Sequence, residues 1–150
     1  MKYNKNEVIK KTKEYVERIQ DYLTEISKIC LFMRLHETEN QDNSNNPITR
    51  DDEFITTFNG AVDDCKTALE NLDNFGKSQN KIISADDMAD ALSPIGHMRI
   101  EIEHMYCDLD VADLDESNRR KCAKICQNFA MIWVVIEDMD DFLYEVYPDA

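Results

Sequence analysis

The stretch SNRRKCAKICQNFAMIWVVIEDMDDFLYEVY, residues 117–147, decides how this chain folds. Within it Cys122, Ile125, Phe129, Trp133, Ile136, Met139, Leu143 and Val146 recur every three or four residues, the period that gathers apolar side chains on one face of an α-helix. The pattern starts near Asp115 to Ser117 and holds to about Tyr147, far beyond the length of a strand. It predicts a long amphipathic helix that needs partners to cover its stripe.

Three earlier patterns supply those partners. Met88, Ala91, Ile95, Met98, Ile102 and Met105 form one stripe, introduced by Ser84 and Asp87 as a capping pair. Pro94 and Gly96 interrupt it, and Ser93 followed by Pro94 suits a fresh helix start, so this third helix is expected to be kinked or split near Pro94. Before it, Thr49 and Asp52 resemble another cap. The helix they introduce places Phe54, Phe58, Ala61, Cys65, Ala68, Leu72 and Phe75 inward and stops at Gly76. The first helix, from about Asn6 to His36, uses Ile9, Val16, Ile19, Leu23, Ile26, Cys30 and Met33, with Thr12 in one slot of the same spacing. Residues 37–48 are polar and turn-rich and read as a mobile loop. The expected fold is an all-α antiparallel four-helix bundle forming a single domain over residues 1–150.

Composition narrows the function classes. No run of about 18 apolar residues exists and the N-terminal residues carry no signal-peptide core, so a soluble, cytoplasmic protein with no membrane association is expected. Five cysteines, Cys30, Cys65, Cys107, Cys122 and Cys126, fall mostly on apolar helix positions, as reduced thiols do, and none has zinc-knuckle spacing. The formal net charge of −14 argues against nucleic-acid binding over a broad surface. That charge is uneven: Lys2, Lys5, Lys10, Lys11, Lys13 and Arg18 open the chain, whereas Glu137, Asp138, Asp140, Asp141, Glu145 and Asp149 close it, a head and tail able to pair within or between molecules.

The chemistry-bearing string is Arg99, Ile100, Glu101, Ile102, Glu103, His104, Met105, Tyr106, which reads R-x4-H-x-Y and leads to Asp108 and Asp110. An Arg stabilises charge on a phosphate and an imidazole moves protons near neutral pH, the two capacities that metal-free RNA cleavage requires. Arg99 and His104 stand about 140° apart on an ideal helix and do not share a face, whereas Arg99 and Tyr106 do. A local distortion at Pro94 and Gly96 or a second subunit is needed to bring Arg and His together. The plain alternative is an Arg99–Glu103 ion pair one turn apart with His104 at the solvent edge.

This string resembles the HEPN superfamily, and within it the HepT-like proteins encoded beside minimal nucleotidyltransferases, whose R-x4-6-H motif often extends to H-x-Y and an acidic residue. The entry Ile95, Gly96, His97, Met98, Arg99 and the long helix over residues 122–147 look similar as well. The likeness covers about half of the chain, from the Ser84 region onward. It implies a helical bundle, a homodimer and a metal-independent endoribonuclease without cofactor, the toxin of a toxin–antitoxin or defence module. Arg99 would clamp the phosphate and His104 would act on a ribose 2′-hydroxyl. Tyr106 would support the centre or be modified by a nucleotidyltransferase-type antitoxin partner. The family commonly carries Asn, Asp or His directly after the Arg, where this chain has Ile100.

Arg119, Arg120, Lys121 and Lys124 form the densest basic cluster, at a helix start where positive charge opposes the dipole, a placement that suits RNA phosphate or an acidic partner. Ion pairing with the acidic run over residues 108–116 explains it equally well. His97, Glu101 and His104 have ligand spacing on one stripe, but no second Glu-x-x-His exists and the stripe lies roughly 110° from the centre of the apolar face, so no metal site is expected. The alternative function is a non-catalytic acidic bundle that binds a basic protein or mimics nucleic acid.

Overall fold

The computed structural model describes residues 3–37, 52–109 and 116–149, with side chains described outside 31–37, 52, 53 and 108. Helix α1 spans Lys5–Glu37, α2 Asp52–Lys77, α3 Ala85–Ala91, α4 Ser93–Asp108 and α5 Glu116–Val146; no strand occurs among the described residues. Of the segment read as a loop over residues 37–48, Glu37 ends α1 and residues 38–48 lie outside the described residues, as do Thr49 and Asp110.

Each helix forms where the apolar period is uninterrupted and ends where it fails. Ser84, in an extended conformation (φ −72°, ψ 162°), accepts the Asp87 backbone N–H on its hydroxyl and starts α3. Leu92 (φ −93°, ψ 3°) separates α3 from α4, and Pro94 sits in the first turn of α4, where its missing N–H breaks no helical bond. At the far end of α2, the Lys5 ammonium donates to the Ser78 and Asn80 carbonyl oxygens at 2.8 and 2.7 Å, tying the start of α1 to the loop after α2.

The helices pack principally as α1 on α5, α2 on α4 and α1 on α2. Their main core joins Val16, Ile19, Leu23 and Ile26 to Phe54, Phe58, Ala61 and Cys65, then to Met98, Ile102 and Met105, and to Ile125, Phe129, Ile132 and Met139. Cores of fully buried branched and aromatic side chains contribute about 1.5–3 kcal/mol per residue relative to exposure, so these stripes drive assembly. A second cluster gathers Val8, Ile9, Leu72, Ile83, Met88, Phe142 and Val146 around α3. Tyr147 closes that end by donating its hydroxyl to the Ile83 carbonyl at 2.7 Å.

Two expectations are corrected here. Trp133 and Leu143 pack only at the edge of the core, while Ile132, Val135 and Phe142 are buried in α5. Cys107 is exposed, unlike Cys65 and Cys122. The lysine-rich head is engaged partly by α2: besides the Lys5 contacts, Lys13 reaches Asp73 at 2.6 Å. Tyr3 meets the acidic tail through Glu145 at 3.2 Å. No described helix is long and apolar enough to cross a membrane.

Candidate functional site

Helix α4 carries chemistry on two flanks. Its buried stripe of Ile95, Met98, Ile102 and Met105 faces the core, so residues to either side of the stripe point toward α5 or toward α2. Arg99 and Tyr106 take the α5 side. The Arg99 guanidinium stands 3.8 Å from the Asp140 carboxylate, with both side chains more than half exposed, an ion pair in a solvated setting. Tyr106 sets its ring edge-to-face on Trp133, 5.4 Å between centroids.

His104 is exposed and lies away from that side. Five positions from Arg99 on an unbroken helix, it is about 140° around the axis, and the α3–α4 break falls too early to change this. Arg99, Tyr106 and Trp133 are therefore brought to one seam within a single chain, and His104 is not. Arg99 pairs across helices with Asp140 rather than forming the local pair that its spacing suggested. Partial burial raises the Asp140 carboxyl from its ordinary value, with the Arg99 charge opposing the rise and neighbouring Asp141 and Glu137 adding to it.

The basic cluster lies in the first turns of α5. Arg120 pairs with Glu116 at 2.6 Å, one turn back. Glu116, Ser117, Arg120, Lys121 and Lys124 line an open depression.

On the α2 side of α4 the structure assembles a group that no single-helix spacing describes. His97 Nδ1 is 3.0 Å from Asp64 Oδ2 and 3.3 Å from Glu101 Oε1. Glu101 is only 18 % exposed, so this member of the stripe expected to face solvent is folded into the α2–α4 seam, while His97 and His104 remain exposed. The reason is Gly60, one turn before Asp64: a Cβ there would stand 3.2 Å from Glu101 Oε1. Burial, then the Asp64 charge, raises the Glu101 carboxyl; Asp64 and Glu101 together raise the His97 imidazole. His97 and Glu101 belong to the ligand-spaced trio seen in the sequence, but the third member is Asp64, not His104. A glycine inside an otherwise good helix was the available signal, since it is unfavourable there by roughly 0.5–1 kcal/mol relative to Ala unless something approaches closely.

Comparison of the chain with protein-family models, characterised proteins and solved structures finds no match.

Proposed function

We propose that this chain is a HEPN-like antiparallel four-helix bundle, its third helix divided at Leu92, that acts as a metal-independent endoribonuclease in a homodimer. The opposed running of contacting positions supports the topology: Cys65 meets Met98 while Asn71 reaches Ala91, and Arg99 meets Asp140 while Tyr106 meets Trp133. The observation that carries the function is the setting of the R-x4-H-x-Y string. Five of the six large hydrophobics exposed among the described residues lie on α4 and α5: Ile100, Tyr106, Met131, Val134 and Tyr144.

Exposed apolar side chains on the helix that carries the motif and on its neighbour, beside a motif whose two halves point apart, suit a centre shared between two copies. Packing of α4 and α5 against a symmetry mate is the arrangement that would set Arg99 of one copy toward His104 of the other. Ile100, placed where the family commonly has a polar residue, then serves the interface. The imidazole takes the ribose 2′-hydroxyl proton, the freed oxygen attacks phosphorus, the bond from phosphorus to the 5′ oxygen breaks, and that oxygen takes a proton from solvent. Arg99 exchanges Asp140 for the phosphate as negative charge builds on it. The 2′-hydroxyl requirement selects RNA. The cluster at Arg119, Arg120, Lys121 and Lys124 gives the phosphate chain a local approach on an otherwise acidic molecule. Tyr106, 43 % exposed, stays within reach of a modifying partner.

The test is incubation of wild type, Arg99→Ala and His104→Ala with mixed RNA in excess chelator, followed by end-group analysis. Cleavage by wild type alone, leaving 2′,3′-cyclic phosphate, supports the reading. Folded, dimeric wild type that leaves RNA intact transfers the weight to the acidic protein-binding bundle.

A further inference from the structure

The α2–α4 seam holds a constellation that the ribonuclease reading does not use. Asp64, His97 and Glu101 each offer one ligand atom, and these atoms all lie within 4.8 Å of one another. The ring nitrogen is 3.0 Å from one carboxylate oxygen and 3.3 Å from the other. Ligands held about 2.0–2.1 Å from a zinc-sized ion at the tetrahedral angle stand roughly 3.3 Å apart, close to both distances from the His97 nitrogen.

Two further observations point to an occupant. Glu101 Oε2 is buried and accepts no hydrogen bond among the described residues, although a buried carboxylate oxygen without a partner is strongly unfavourable. In addition, Gly60 keeps open the room that this carboxylate occupies, because a Cβ would stand 3.2 and 3.4 Å from its two oxygens. The metal-free arrangement of the same groups is a proton held between the Glu101 and Asp64 carboxyls with His97 bridging both, and a bound cation takes that proton's place. A cation answers all three groups at once.

We propose that Asp64, His97 Nδ1 and Glu101 form a binding site for a first-row divalent cation, one that clips α2 to α4. Imidazole with two carboxylates is a donor set for zinc or manganese, and the remaining positions open on the side of His97, which is 64 % exposed and admits water. Binding replaces the proton on Nδ1 and leaves the Nε2–H tautomer. The site lies on the flank of α4 away from Arg99 and Tyr106, so it stands or falls separately from the ribonuclease reading.

The experiment titrates Mn2+ into the whole protein, counting bound ions by electron paramagnetic resonance and following histidine ring proton signals. Manganese avoids the thiols, which removes Cys107 as a competing ligand. One ion per chain is expected, with His97 signals broadened well before those of His104. Zn2+ should raise the melting temperature of wild type and not that of Asp64→Asn or Glu101→Gln. Gly60→Ala keeps all three ligands and favours the helix, so it guards against loss of fold; displacing Glu101, it should weaken Mn2+ binding about tenfold or more. Absence of binding at millimolar Mn2+ overturns the proposal. So does binding that Asp64→Asn, Glu101→Gln and Gly60→Ala leave unchanged.

Discussion

Arg99 is held by Asp140 across a solvated seam, and that pairing sets the protein's resting electrostatics at the motif. Because burial raises the Asp140 carboxyl, its charged form is disfavoured by folding, and its contribution to stability falls as pH rises through its folded pKa. Asp140→Asn should therefore leave stability at pH 7 within about 1 kcal/mol of wild type, on the favourable side, with the difference vanishing toward acid pH as the native carboxyl protonates. Urea unfolding at both pH values measures it. On the proposed ribonuclease reading the same variant frees Arg99 for phosphate and should speed RNA cleavage; slower cleavage would mean that Asp140 positions Arg99 productively. The thiols give a second residue-scale prediction. Burial pushes the Cys65 thiol up to about 12 and Cys122 up to about 11, so neither supplies thiolate at neutral pH. In native protein, iodoacetamide should modify exposed Cys107 first and reach Cys65 and Cys122 only on unfolding, as peptide mass analysis can report.

Elements were legible in the sequence to the extent that one period and one cap define them. The α2 stripe from Phe54 to Leu72 and the α3–α4 stripe from Met88 to Met105 are buried as read, because each faces the interior over its whole length. In α5 the sequence reading drifted. Following Cys122, Phe129, Ile136 and Leu143 imposes a seven-residue repeat, which slips about 20° per heptad on a real helix, so by the last turns Phe142 has the core position and Leu143 its edge. Phe142 is buried under the head of α1, with Tyr3 edge-on at 5.4 Å and the Lys11 ammonium 4.6 Å from its ring centre, contacts that no local pattern announces. The candidate sites divide in the same way. Arg99, His104 and Tyr106 were visible as a string, and His97 with Glu101 as a spacing. Asp64 was hidden because it lies 33 residues before its histidine partner on another helix. Caps remain local and testable: Ser84→Ala removes the oxygen that accepts the Asp87 N–H at 3.1 Å and should cost about 1 kcal/mol in urea unfolding. An unchanged midpoint would show that α3 is held by Met88 and Ala91 alone.

On the proposed ribonuclease reading, a chain of net charge −14 has to bring an RNA backbone to an Arg and a His that face apart. The proposed symmetric pair would answer the second difficulty, with the exposed apolar side chains of α4 and α5 at its interface. Ile100 is 56 % and Val134 44 % exposed, so Ile100→Asp with Val134→Asp should preserve the helical circular dichroism while converting dimer to monomer in light scattering, and cleavage should disappear with the dimer. A wild type that is already monomeric at high micromolar concentration would remove the basis for a shared centre. The most direct test of the central claim is complementation: Arg99→Ala and His104→Ala, each inactive, are unfolded together, refolded as a mixture and assayed on RNA in excess chelator. If each centre takes its Arg from one copy and its His from the other, half of the dimers are mixed and each keeps one intact centre, so activity returns to about a quarter of wild type. A refolded mixture as inactive as its components, beside active wild type treated identically, would contradict a centre shared between two copies.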